Sequence, residues 1–123
     1  MIDRFEHLVI RPADFGRSLA FYRDTLGWSV VAQWGGDGEP RHAVLSGGAV
    51  KVVLAERTPG AATPGCPELR LDIHDVDRRF GLIPAGDHVV SAPGENPDGT
   101  REFVLRDPDG NRIAFEEVHR SRG

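Results

Sequence analysis

Residues 5–11 read FEHLVIR, and residues 68–77 read ELRLDIHDVD. Both alternate apolar and polar side chains with the period of two expected of a strand covered on one face. The first runs through Pro12 into DFGRSLAFYRDTLGW at 14–28. The second leads to a short helical stretch and then to REFVLRDPDGNRIAFEE at 101–117. One strand-to-helix pattern therefore occurs twice, the second time shortened. In a chain of 123 residues this repeat predicts two small modules, each too small to bury its own sheet, packed side by side.

Working outward, the first strand is predicted over about 4–11, with Leu8 and Ile10 on one face and His7, Val9 and Arg11 on the other. A helix follows from an N-cap at Asp14 to Gly27, a residue suited to the left-handed position after a helix. Its stripe of Phe15, Leu19, Tyr22 and Leu26, widened by Phe21, is expected to cover the Leu8 and Ile10 face. Strands are expected at 28–34, 41–46 and 49–56, separated by the turn cluster GGDGEP at 35–40 and by Ser46-Gly47-Gly48. RTPGAATPGCP at 57–67 is the one plausible linker between modules. Module 1 is thus about 1–57, the linker 58–66 and module 2 about 67–120. In module 2, Leu69, Leu71 and Ile73 alternate with Glu68, Arg70, Asp72 and His74. A short helix over about 75–82 stops before Pro84, a strand lies near 87–91, and two more strands flank the turn Asp107-Pro108-Asp109-Gly110-Asn111.

Bulk properties bound the function. Apolar residues make up 39% of the chain and charged residues 28%, an ordinary balance for a soluble globular domain. The net charge of −4, with no basic stripe, argues against a nucleic-acid partner. Charges in MIDRFEHL stand where a signal peptide needs an apolar core, and no stretch reaches membrane-spanning length, so the expectation is a cytoplasmic protein with no membrane partner. Cys66 alone cannot form an internal disulfide or a cysteine-rich zinc site. GGDG at 35–38 lacks the following helix of a phosphate-binding loop, and no serine lies in a nucleophile elbow.

The order βαβββ, linker, βαβββ, together with SLAFYRDTLGW and the RDPDGNRIAFEE hairpin, resembles the glyoxalase/bleomycin-resistance/extradiol-dioxygenase superfamily, also called the vicinal oxygen chelate fold. The resemblance spans Phe5 to Val118 and implies an α+β domain. Its two βαβββ modules would form a cupped eight-stranded mixed sheet with helices on the outer face. It also implies a homodimer with cupped cavities, and exposed sheet edges support that independently. Catalytic relatives hold a divalent ion at four positions, on the first and last strands of each module, where the ion chelates two neighbouring substrate oxygens.

Carried onto this chain, those positions are His7, Val53, Glu68 and Ala114. The valine and the alanine cannot ligate a metal. Glu56 is an odd number of residues from Val53 and should face the opposite side. Glu116 shares the face of Ala114 but lies about 6.5–7 Å further along the strand. The favoured expectation is therefore no metal and no cofactor. The alternative is a site of His7, Glu68 and Glu116 for Zn, Fe, Mn or Ni, serving a lyase, isomerase or dioxygenase.

The remaining candidates line the same hollow. Glu68, Arg70, Asp72 and His74 share one strand face, and His74 beside Asp72 is a candidate acid or base for a metal-free enzyme. Asp75 and Asp77 are also read as caps of the short helix. Trp28 is assigned to the core. Trp34, beside a glycine-rich loop, is a candidate stacking wall for a planar ligand. His42, His88 and His119 have no partners at a spacing that suggests a shared site, and Cys66 is read as incidental. The expected function is sequestration of a natural product or drug-like ligand, as in antibiotic resistance, with His7, Arg11, Trp34, Glu68, Arg70, Asp72 and Glu116 as binding residues.

Overall fold

The computed structural model describes residues 1–58 and 68–117. The predicted linker, with Cys66, and the terminal residues with His119 lie outside the described residues, save Thr58. The chain divides into two compact units, Met1–Pro64 and Gly65–Gly123. Each carries a four-stranded mixed sheet in the order βαβββ, as the repeat predicts.

In the first unit, β1 (Leu8–Ile10) is parallel to β4 (Val50–Ala55), and β3 (Glu39–Gly47) joins β4 to β2 (Ser29–Gly36) by antiparallel pairing. β1 is shorter than the predicted 4–11 because its pairing covers only Val52–Leu54. Pro12 then follows, with no N–H to continue a ladder. Ile10, Val52, Leu54, Ala43 and Leu45 form the buried face.

The helix over that sheet is not uniform. It begins as α1 (Phe15–Ala20), with the Asp14 side chain accepting from the Arg17 amide at 3.1 Å. It then widens into a π-helical turn, Phe21–Thr25, closed by the bond from the Leu26 amide to the Phe21 carbonyl at 3.0 Å. The wider turn lets adjacent Phe21 and Tyr22 both turn inward while Leu26 stays buried. Phe21 meets Tyr22 edge-on at 5.1 Å, and Tyr22 meets Trp28 at 5.6 Å. Trp28 is buried, so its assignment to the core holds. Gly27 takes φ 76, the left-handed conformation in which the chain leaves the helix.

In the second unit, β5 (Glu68–Asp72) is parallel to β8 (Arg112–Glu117), which pairs with β7 (Arg101–Arg106) and through it with β6 (Val89–Glu95). β6 runs past the expected end near residue 91 and through Pro93. It is an edge strand, where a missing N–H costs no ladder bond, and its register shifts between Ser91 and Gly94. Phe103 and Phe115 stack at 4.7 Å beneath α2 (Val76–Gly81), with Phe80 edge-on to Phe103 at 5.1 Å. Asp75 caps α2, accepting from the Arg78 amide at 3.1 Å. Asp77 does not cap it. Its carboxylate instead takes two bonds from Arg101, at 2.8 and 2.9 Å. The turn after β7 is organised by buried Asp107, which accepts from the amides of Asp109 and Asn111 and from the Asn111 side chain.

Candidate functional site

Among the described residues, each sheet has one face built into its unit's core and a second face that no helix of its own unit covers. In the first unit, Val9, Val53, Val44 and Ala32 form one row across β1, β4, β3 and β2, opposite the buried Ile10, Leu54 and Ala43. The adjacent row is Ala55, His42 and Trp34. Trp34 is 51% exposed, and its ring lies on that of His42 with centroids 4.8 Å apart and planes within 6°. His42 Nδ1 is 3.1 Å from the Pro40 carbonyl. A neutral ring therefore carries its proton on Nδ1 and leaves Nε2 as an acceptor. His42 thus has a partner that its spacing in the sequence did not suggest.

At the other end of this face, Lys51 bonds Glu6 at 3.1 Å, and His7 Nδ1 stands 3.8 Å from the same carboxylate oxygen. Arg11 is exposed just after β1, and its carbonyl accepts from Arg57. Glu56 is committed elsewhere. Its carboxylate takes the Arg41 amide at 2.9 Å and the Arg41 guanidinium at 2.7 Å, which holds it below the usual carboxylate range. These two residues border a hollow of about 430 Å³ at the base of the β2–β3 turn.

The second face of the second sheet mixes charged side chains with buried Ala114 and Val104. Rows across it read Arg70, Ala114, Val104 and, one row along, Asp72, Glu116, Glu102. Arg70 is the hub. Its Nη2 donates to Glu116 at 3.0 Å and to Glu102 at 3.1 Å, and its Nη1 lies 3.4 Å from Glu68. The bonds to Glu116 and then Glu102 push the Arg70 guanidinium well above its usual value, so it stays charged. Asn96 donates at 2.6 Å to Glu102 Oε1, the same oxygen that accepts from Arg70. Glu102 and Asn96 were not among the sequence candidates.

His74 does not share this face. β5 ends at Asp72, and the chain bends before α2. His74 instead lines a hollow of about 230 Å³ with Ile73, Asp75, Arg78, Arg79 and Leu82. The expected His74 and Asp72 acid–base pair is therefore corrected: Asp72 is the register neighbour of Glu116, while His74 belongs to the α2 entry.

The residues at the family's metal positions do not fit an ion. Val53 and Ala114 bring no donor, and Ala114 is fully buried. Glu68 and Glu116 are both engaged by Arg70. Among the described residues, no three His, Cys, Asp or Glu side chains are grouped to hold a metal. Among them, too, no helix is long and apolar enough to cross a membrane.

Two βαβββ units, each a four-stranded mixed sheet with one flanking helical segment among the described residues, define an α+β class of fold. A sequence profile of the Glyoxalase/Bleomycin resistance protein/Dioxygenase superfamily matches residues 4–115, and the chain belongs to that superfamily. It is 32% identical over 130 residues to virulence protein STM3117 of Salmonella typhimurium, an alignment covering 95% of this chain and 85% of that one. Its fold is similar to TioX from Micromonospora sp. ML1, with a TM-score of 0.74, 23% identity, and coverage of 94% of this chain and 100% of the other. It is also similar to lactoylglutathione lyase from Agrobacterium tumefaciens, with a TM-score of 0.73, 20% identity and 96% of each chain covered.

Proposed function

We propose that this protein is a metal-independent small-molecule binder of the bleomycin-resistance type, holding a planar, natural-product-like ligand against the open face of its first sheet. One observation carries the reading: a half-exposed tryptophan ring is stacked on a histidine beside an uncovered row of Val9, Val53, Val44 and Ala32. Exposed tryptophan surface is unfavourable in water, and a flat ligand would remove it. His42 Nε2 offers an acceptor at the edge of the platform, and His7 and Arg11 flank the row.

A cytoplasmic homodimer belongs to the same proposal. It is supported by exposed Val31 and Val90 on the edge strands β2 and β6. Light scattering coupled to size exclusion checks that part, and a monomer at all concentrations contradicts it.

The binding test is titration of planar aromatic and glycopeptide natural products, followed by tryptophan fluorescence and thermal shift. Ligands should quench the emission and raise the melting temperature. Binding should survive EDTA and weaken about three- to tenfold in Trp34→Ala, given the worth of an aromatic pair. A broad panel that moves neither signal, or binding indifferent to Trp34→Ala, refutes the reading.

A further inference from the structure

We infer that His42 is the specificity residue of the first sheet's open face, selecting planar ligands that present an N–H or O–H donor on a ring edge. This rests on the binding role proposed above and names the ligand chemistry for it.

The placement starts in the strand pair. Trp34 and His42 are register partners on β2 and β3, and the register shifts just beyond them, between Trp34 and Gly36. Gly35 fills that irregularity with φ 90, and a Cβ there would run into the carbonyl oxygen of Pro40. So close an approach requires glycine. The same Pro40 carbonyl lies 3.1 Å from His42 Nδ1. One backbone oxygen thus packs against the irregular residue beside Trp34 and ties down the imidazole.

The 4.8 Å between the His42 and Trp34 ring centroids matches the spacing of neighbouring strands, and the planes agree within 6°. The imidazole plane therefore runs along β3 and stands up from the sheet. Within that plane, Pro40 lies two residues toward the β2–β3 turn and Val44 two residues away from it. With Nδ1 tied back to Pro40, Nε2 is turned upward and toward the row of Val9, Val53, Val44 and Ala32. Among the described residues, no group donates to Nε2. The aliphatic side chains of the row have no donor to give.

A ligand lying flat on that row brings its rim against this lone pair and displaces the water that solvated it. A rim N–H or O–H restores the bond, whereas a rim methyl group or a second acceptor leaves the nitrogen covered and unpaired. The difference is worth about three- to tenfold in affinity.

The test uses the planar tricycle norharmane, whose indole-type N–H is such a donor, and 9-methylnorharmane, in which a methyl group replaces that hydrogen. Binding is followed by fluorescence anisotropy of the ligands at about pH 9, above the ordinary histidine range, so that the neutral ring is tested. The wild type should bind norharmane about three- to tenfold more tightly than the methyl derivative. His42→Phe keeps a flat ring on Trp34 but removes the acceptor, and it should hold the two ligands equally. Trp34→Ala should weaken both. Nitrogen-15 NMR should find the imidazole proton on Nδ1 in the free protein, and the Nε2 resonance should move with norharmane but not with its methyl derivative. The nitrogen spectra need no variant, so they decide the assignment even where His42→Phe folds poorly. Equal binding of the two ligands by the wild type, with Trp34→Ala weakening both, overturns the role of His42 and leaves the binding face standing. A preference that persists in His42→Phe, or a proton on Nε2 in the free protein, does the same. Failure of both ligands to bind refutes the face itself, and the inference falls with it.

Discussion

Replacing Gly47 by alanine adds one methyl group against an immovable wall. A Cβ at that position would stand 2.6 Å from Cε2, 2.7 Å from Nε1 and 2.9 Å from Cδ2 of Trp28. Comfortable contact between carbon atoms needs about 3.5–4.0 Å, so the shortfall is close to 1 Å along the whole inner edge of the indole. That indole is 7% exposed and seated against Tyr22, and it cannot swing away as a lysine tip would. Overpacking of this kind costs about 1–3 kcal/mol. For a chain of this size that lowers the melting temperature by about 3–12 °C. Urea unfolding of Gly47→Ala in a Trp34→Phe background leaves Trp28 as the sole tryptophan, excited selectively over Tyr22 at long wavelength, and its emission should shift to the red in the native baseline. Trp28→Phe shrinks the obstructing ring, so a double-mutant cycle should show at least about 1 kcal/mol of coupling between the two positions. A Gly47→Ala variant within about 0.3 kcal/mol of the parent, or strictly additive effects, would show that the indole does not require this glycine.

Phe103→Ala removes a fully buried ring stacked on Phe115 and should destabilise the protein by about 3–5 kcal/mol, measured by the same urea assay. Asp14→Ala deletes the acceptor for the Arg17 amide and should cost about 1 kcal/mol, whereas Asp14→Asn should restore most of it. Glu56 and Asp77 are held below their ordinary values of 4.5 and 3.8, by Arg41 and Arg101 respectively. Their contributions are therefore complete above those values and lost as pH falls through the lower folded ones. The melting temperature should decline below about pH 4.5, and Glu56→Gln should flatten that decline; an unchanged acid slope contradicts the assignment.

The order of elements was legible because alternation in FEHLVIR and ELRLDIHDVD, and the spacing of Phe15, Leu19, Tyr22 and Leu26, are properties of neighbouring residues. Caps at Asp14 and Asp75 were legible for the same reason. What escaped depends on register. Trp34 faces His42 across a one-residue shift between Trp34 and Gly36, and no count outward from the turn at Asp37 and Gly38 would have paired them. Glu102 offered a better signal. It lies as far before Asp109 as Glu116 lies after it, so an unbulged hairpin pairs them, as observed. The π-helical turn was hidden because its buried residues also satisfy an ordinary helical stripe. His74 misled because parity along a strand says nothing about where pairing stops, and here it stops at Asp72.

The widened turn at Phe21–Thr25 has a bearing on how this chain tolerates insertions and deletions. Such a turn holds about one residue more than the α-helical turn it replaces, and each residue of an α-helix advances the chain by about 100°. Deleting Thr25 would let that turn tighten to α-helical geometry, with the bond from the Leu26 amide to the Phe21 carbonyl now spanning four residues instead of five. Leu26 would keep nearly its present phase, and the chain would still enter β2 in register. Loss of one residue at that point should thus be tolerated better than the same loss elsewhere in the helix, although the segment's composition looks unremarkable.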